Sequence, residues 1–175
     1  MSESARAILD AAERRMRVGG LAGFSFREIA VDVGVKSSSV HYHFPTKEKL
    51  AAAVVRRYAK QVSEYIDQRM MSDPDPVRVW TQVMRETVLS EGRMCPCTVL
   101  GAAALDLSKE VATEVQAFFQ MCLDKLIAAG LSRNRASELL ATLIGALVVT
   151  NALSDCEEYD RATSELRWQP EDIAA

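Results

Sequence analysis

Proline, glycine and aromatic side chains are scarce in this chain of 175 residues, which has five Pro, eight Gly, five Phe, four Tyr and two Trp. Few chain breakers and few strand-favouring rings speak against a fold of many short strands and turns. Nearly half of the residues are nevertheless hydrophobic, enough for a real core, and Ala, Leu, Val, Glu and Arg dominate. That balance favours an all-α protein. Histidine is rarer still, with only His41 and His43. Helical side chains two positions apart diverge by roughly 200°, so this HxH pair cannot grip one metal ion, and no metal site is expected. A nucleophile elbow, a glycine-rich phosphate loop and a zinc-protease motif are all missing, and the carboxylates fall mainly on wet faces. Neither an enzyme nor a cofactor is expected.

Long apolar runs are missing too. The longest, Leu139 to Val149, is broken by Thr142 and Gly145 and reads as a buried helix rather than a membrane span. Glu3, Arg6 and Asp10 punctuate the N-terminus, so no signal-peptide core is read there and a cytoplasmic protein is expected. The four cysteines are then thiols rather than structural disulfides.

What the chain does contain is a dense stretch from Ser25 to Lys47, SFREIAVDVGVKSSSVHYHFPTK. Ser25 followed by Glu28 has capping-box spacing, in which hydroxyl and carboxylate satisfy two orphan backbone N–H groups. Phe26, Ile29, Ala30 and Val33 share one helical face. Gly34 then supplies the positive φ that a helix end wants, and Val35 plugs the turn. Ser37 is placed to cap a second short helix, Ser37 to Phe44, which Pro45 stops. This is a helix-turn-helix pattern. Its second helix exposes Ser38, Ser39, His41, Tyr42 and His43, a surface suited to nucleic acid.

The run from Phe26 to Leu50, with Gly34-Val35, then Val40-His41-Tyr42-His43-Phe44-Pro45 and Thr46-Lys47-Glu48-Lys49-Leu50, resembles the DNA-binding domain of TetR-family transcriptional regulators. The resemblance implies an N-terminal three-helix DNA-binding domain, residues 1–48, and a helical effector-binding and dimerisation domain, residues 49–175. It also implies a homodimer on a pseudo-palindromic double-stranded operator, released by a small, mainly apolar effector. Ser37, Ser38 and Ser39 can reach phosphates or base edges from a helix in the major groove. Tyr42 and His43 match the family's phosphate-contacting positions. Lys47 begins the next helix, where backbone N–H groups already favour a phosphate. Arg27 and Lys36 add backbone contacts, and Ser25 is counted with them. His41 departs from the family's usual aromatic or aliphatic residue and either reads a base or covers the helix. Ser38 replaces a common glycine, which limits how closely that turn nears the groove.

Charge agrees in sign. Residues 1–50 hold eight Lys and Arg against six Asp and Glu, hence +2, which leaves −5 for the remainder of a chain of net charge −3. An N-terminal nucleic-acid module on an acidic body has this asymmetry.

The helical pattern continues along the chain. An amphipathic first helix, Ser4 to Val18, carries Ile8, Leu9, Ala12 and Met16 inward and ends at Gly19-Gly20; Leu21, Phe24 and Phe26 read as core beside it. A long fourth helix runs from Thr46 to about Met71. Asp75-Pro76 is a cap followed by a helix start, and a fifth helix extends to about Leu89. Ser90 to Thr98 reads as irregular, then a short helix spans Val99 to Leu107. Ser108 caps a seventh helix to about Ala129, ended by Gly130. Ser132 caps an eighth to about Cys156, apolar nearly all round, and a last short helix covers Tyr159 to Leu166. A helix without a wet face is either central or covered by a second chain, and the seventh and eighth helices are expected to pair between subunits.

Two constellations remain. Trp80, Met84, Val88, Leu100, Phe118 and Cys122 recur on inward faces; periodicity alone makes them core, and the family resemblance makes some of them the lining of an effector cavity. Tyr58, Thr87, Thr150 and Asn151 can orient a ligand, although Asn151 can instead set dimer register. Cys95-Pro96-Cys97, with Cys122, reads as packing, as a soft-metal site or as a redox or electrophile sensor with Arg93 favouring thiolate. A helical adaptor without DNA binding is the reading from another class.

Overall fold

The computed structural model describes residues 2–89 and 94–168, with backbone alone at 88 and 89. All regular structure among these residues is helical, so the all-α expectation holds. Helix α1 is Glu3–Gly19, followed by a 3-10 turn at Gly20–Gly23; α2 is Phe26–Val33, α3 Ser37–His43 and α4 Lys47–Ser72. Helix α5 is Pro76–Leu89, α6 is Pro96–Ala102 with a 3-10 turn at Ala104–Asp106 behind it, α7 is Lys109–Ala128, α8 Arg133–Leu153 and α9 Glu157–Thr163.

Most boundaries are set by side chains read from the sequence. Thr46 Oγ1 accepts the Lys49 N–H at 3.2 Å, Asp75 Oδ1 that of Arg78 at 3.0 Å and Ser132 Oγ that of Arg135 at 3.3 Å. Gly34 closes α2 at φ +74° and Gly130 follows α7 at φ +103°, a left-handed region that costs side chains other than glycine about 1–2 kcal/mol.

Several boundaries differ from expectation; among them, α6 ends at Ala102 rather than Leu107 and α9 at Thr163 rather than Leu166. Lys36, not Ser37, is the N-cap of α3, and it caps without a side-chain bond; Val35 N–H closes back on the Ala30 carbonyl at 2.9 Å, which carries the extended residue on to Lys36. Helix α6 begins at Pro96, three residues before the expected start. Proline sits at N1, where the missing N–H costs nothing and φ is already helical, so the residue read as an interruption is the initiator. Helix α8 stops at Leu153 because Ser154 takes a left-handed cap at φ 54°, a conformation that serine does not advertise. Helix α9 accordingly starts at Glu157, two residues before the expected start. Of the expected irregular segment Ser90 to Thr98, residues 90–93 lie outside the described residues and Pro96 to Thr98 are helical.

Packing divides the chain into two compact units, one of residues 1–60 and 95–118, the other of 61–94 and 119–175. In the first, the expected faces are inside: Ile8, Leu9, Ala12 and Met16 of α1, Ile29 and Ala30 of α2, Val40 of α3, and Leu50 and Val54 of α4 are buried, with Phe24 at 1% exposure. Leu21 and Phe26 are only half-buried. Helix α6 packs on α1 and on the turn after it, so a segment near residue 100 shares a core with the helix-turn-helix. In the second unit Trp80, Ile66, Leu126, Leu139, Leu143 and Tyr159 are buried. There the Tyr159 hydroxyl donates to the Thr81 carbonyl at 2.9 Å, and α8 packs against α5 and α9.

Candidate functional site

The entrance to α2 is held as the spacing implies. Glu28 N–H donates to Ser25 Oγ at 3.3 Å, while Ser25 N–H and hydroxyl both donate to Glu28 Oε2 at 2.8 Å. The Ser25 hydroxyl is thus engaged inside the protein, although the residue is exposed. Its hydrogen bonds and the Arg15 guanidinium keep the Glu28 carboxyl below its ordinary range.

Helix α3 buries Val40 against this scaffold and turns polar groups outward. Ser37, Ser38, His41 and Tyr42 are exposed, Tyr42 to 84%, while Ser39 and His43 are half-buried. Because Lys36 occupies the cap position, the Ser37 hydroxyl is not used as a cap. The His41 ring meets Phe26 edge-on at 4.5 Å, so it covers α2 while remaining exposed. Tyr42 and His43 lie edge to face at 5.2 Å.

Lys47 is the first residue of α4, and its ammonium lies 4.8 Å from the centroid of the Phe24 ring. Thr46 occupies only the third N–H of that helix, leaving those of Lys47 and Glu48 with no intrahelical acceptor. Gly23 brings the chain unusually close to α1: a Cβ there would stand 2.8 Å from the Arg15 carbonyl oxygen.

Not all eight N-terminal cations face outward unpaired. Arg15 forks onto Asp32 at 2.5 and 3.0 Å and reaches Glu28 at 3.1 Å, tying α1 to α2. Arg17 and Arg57 both hold Glu13, at 2.9 and 2.8 Å. By contrast Arg6, Arg27, Lys36, Lys47 and Lys49 form no ion pair among the described residues. Side-chain pairing between α1, α2 and α4 separates these two groups, and composition carries no trace of it.

The expected ligand residues are distributed over both units. Tyr58, Leu100 and Phe118 are buried in the first, with the Tyr58 and Phe118 rings 5.8 Å apart. Trp80, Met84 and Cys122 are buried in the second. Thr87 is half-buried and its hydroxyl donates to the Val83 carbonyl at 3.2 Å; the Val88 side chain is outside the described residues. Asn151 is exposed, since it lies one helical step beyond the buried Thr150, and it does not point into the interior. Thr150 is 2% exposed, and its hydroxyl has no hydrogen-bond partner among the described residues.

A cleft of about 500 Å³ opens in the first unit. Leu21, Val99, Leu100 and Leu107 form apolar walls, with Lys47, Glu48 and Asp106 among the polar groups. It contains one expected ligand residue, Leu100, and one expected DNA residue, Lys47, and no feature of the sequence signalled it.

Around Tyr58 lies a polar cluster that was only partly foreseen. The Arg17 guanidinium stands 5.2 Å over the Tyr58 ring. Burial pushes the Tyr58 phenol up, and Cys95 adds to this. Burial also pushes the Cys95 thiol up, but hydrogen bonds from the Cys97 and Tyr58 side chains and from the Thr98 and Cys97 N–H groups outweigh it and lower it to about 6. Arg93, expected to favour thiolate, is outside the described residues.

Residues 8–54 match the family model of bacterial regulatory proteins of the tetR family. No curated protein matches the chain. A TetR-family transcriptional regulator from Agrobacterium tumefaciens superposes with a TM-score of 0.87 at 26% identity, covering 98% of each chain. A TetR regulator from Legionella pneumophila superposes at 0.84 with 21% identity, over 94% of this chain and 95% of that one. The multidrug-binding protein EbrR, solved with proflavin, reaches 0.64 at 23% identity, over 93% and 96%. The matched segment spans the helix-turn-helix built above from its caps and core, and the solved regulators share the helical fold of nearly the whole chain; residues 8–54 thus carry the DNA-binding pattern of the bacterial tetR family, on a chain with the fold of TetR-family transcriptional regulators.

Proposed function

We propose that the protein is a ligand-responsive repressor that binds a pseudo-palindromic operator as a homodimer in the cytoplasm. Residues 1–48 serve as the DNA-binding domain and residues 49–175 as the effector-binding and dimerisation domain. The observation that carries this reading is α3, whose exposed Ser37, Ser38, His41 and Tyr42 stand beside cations without carboxylate partners, Arg27, Lys36 and Lys47. Short hydroxyls and a tyrosine on a helix fit base edges and phosphates in a major groove, and unpaired cations supply the counterion-release term. Ser25 belongs to this site through its cap, which fixes the start of α2. In a dimer the two copies of α3 meet successive grooves about 34–36 Å apart.

Dimerisation is supported by α8. Ala141, Gly145, Val148, Val149, Ala152 and Leu153 are all exposed, Val148 and Val149 to 45% and 47%. The helix is long and apolar enough to cross a membrane by length and composition, yet its other side is packed on α5 and α9. An apolar strip of this kind suits a second copy of α8, paired with α7 in a four-helix bundle. A small, mainly apolar effector would suit buried residues of either unit, Tyr58, Leu100 and Phe118 in the first or Trp80, Met84 and Cys122 in the second, and EbrR was solved with proflavin. In the second unit the unpaired Thr150 hydroxyl would orient such a ligand.

Fluorescence anisotropy with genomic fragments tests the reading. Submicromolar binding to a subset of fragments is expected. Equal, weak binding to all of them, or none, would leave a helical adaptor instead.

A further inference from the structure

We propose that the cleft beside the start of α4 is a binding site for a small apolar monoammonium ion, a protonated arylalkylamine, held by Glu48 and Asp106. Apart from Leu100, its lining shares nothing with the buried residues offered to an effector above, and its occupation requires no DNA.

The cleft exists because small residues line the place where two chain segments pass. One wall is the chain from Gly19 to Ala22, and the other is the end of α6 with the 3-10 turn behind it. Gly20 is buried at φ +58°, and a Cβ there would stand 3.4 Å from Val99 Cγ1; a Cβ at Gly19 would meet nothing within 4 Å. Bare backbone on one side, with Val99 and Ala103 on the other, leaves a space of about 500 Å³. Small-molecule sites fall in the range of roughly 300–1,000 Å³. Ala102, Ala104 and Leu105, on either side of Ala103, are exposed, Leu105 completely, so the chain at the mouth is apolar as well. Water held here faces mostly carbon, and an apolar ligand that displaces it buries both surfaces.

Charge selects the ligand. Three ionised side chains lie at the cleft, Lys47, Glu48 and Asp106, so anions outnumber cations two to one. The Lys47 ammonium already has a partner in the Phe24 ring, 4.8 Å from its centroid. Glu48 and Asp106 form no ion pair among the described residues. Glu48 is half-buried at the start of α4 and Asp106 is exposed on the turn behind α6, so the two carboxylates reach the cleft from different elements. Low-dielectric walls focus the field of such charges on a bound cation. A single positive charge balances the excess, whereas a carboxylate of the same shape would face two like charges against one ammonium. A divalent metal ion would require six or more oxygens, which walls of carbon do not supply.

The test uses the full chain and three probes of one shape: 1-naphthylmethylammonium, 1-naphthylmethanol and 1-naphthoate, each titrated by calorimetry. The ammonium should bind with a Kd of about 1 mM or tighter, within reach of about a dozen heavy atoms. It should bind about fivefold tighter than the alcohol, with the naphthoate weakest. Asp106→Asn and Glu48→Gln should each weaken the ammonium about threefold and leave the alcohol unchanged. Ala103→Trp, at an exposed residue, should fill the cleft and abolish binding of the ammonium, with circular dichroism confirming the fold. Ammonium binding weaker than about 1 mM, equal affinity for ammonium and alcohol, or tightest binding by the naphthoate would each overturn the proposal. So would unchanged binding in Ala103→Trp, or in the chain carrying both Asp106→Asn and Glu48→Gln, since the ligand would then sit elsewhere. Calorimetry needs no operator, so a protein that ignores DNA fails the preceding reading without touching this one.

Discussion

Replacing Lys47 with alanine separates a DNA contact from a packing contact. The ammonium has no carboxylate partner among the described residues and lies 4.8 Å from the Phe24 centroid. Losing that cation–π contact costs about 0.5–1 kcal/mol of stability, too little to unfold the first unit. Losing one phosphate contact lowers the slope of log affinity against log salt by about 0.9 per subunit, hence ~1.8 for a dimer. Raising salt fourfold, from about 50 to about 200 mM, should then weaken wild type by roughly tenfold more than Lys47→Ala. Fluorescence anisotropy over that salt range reads the slope, and circular dichroism confirms that the variant is folded. The effect should be alike on operator and random duplex, because phosphates carry no sequence. An unchanged slope in a folded variant would remove Lys47 from the interface and leave it as a cover for Phe24.

Three further outcomes follow from the packing. Gly23→Ala places its Cβ 2.8 Å from a backbone oxygen of α1, so overpacking should cost about 1–3 kcal/mol; an unchanged melting temperature would show that the turn yields freely. Val149→Arg adds a charge to the exposed apolar face of α8 and should give a folded monomer by sedimentation; a persistent dimer would place the interface elsewhere. The third concerns pH. The folded Cys95 thiol lies below its ordinary value, so its contribution to stability is fully present above the unfolded pKa and is lost as pH falls through about 6. Chemical denaturation from pH 6 to 9 should therefore show stability rising more in wild type than in Cys95→Ser, and parallel curves would refute the assignment.

The sequence by itself determined the elements and the reading head. Ser25 and Glu28, Gly34, Thr46, Asp75-Pro76 and Ser132 act through bonds to neighbours three to five residues away, so their effect is written locally. The inward stripes of α1, α2 and α4 likewise need only a helical period, and the segment from Phe26 to Leu50 carried its family pattern in order and spacing. The Pro96 start of α6 was legible in principle through the N1 preference of proline, whereas the Ser154 cap had no such signal.

Only the tertiary structure decided which charged and sulfur groups work together. Arg15 is neutralised by Asp32 seventeen residues away, and Arg17 shares Glu13 with Arg57 forty residues on; a charge count treats all of them as equal. Helix α6 joins the core of the helix-turn-helix rather than a separate body. That placement sets Cys95 against Tyr58, thirty-seven positions earlier, whose ring lies under Arg17. Such pairings depend on how helices pack, and packing is a property of surfaces that meet only after the chain has folded.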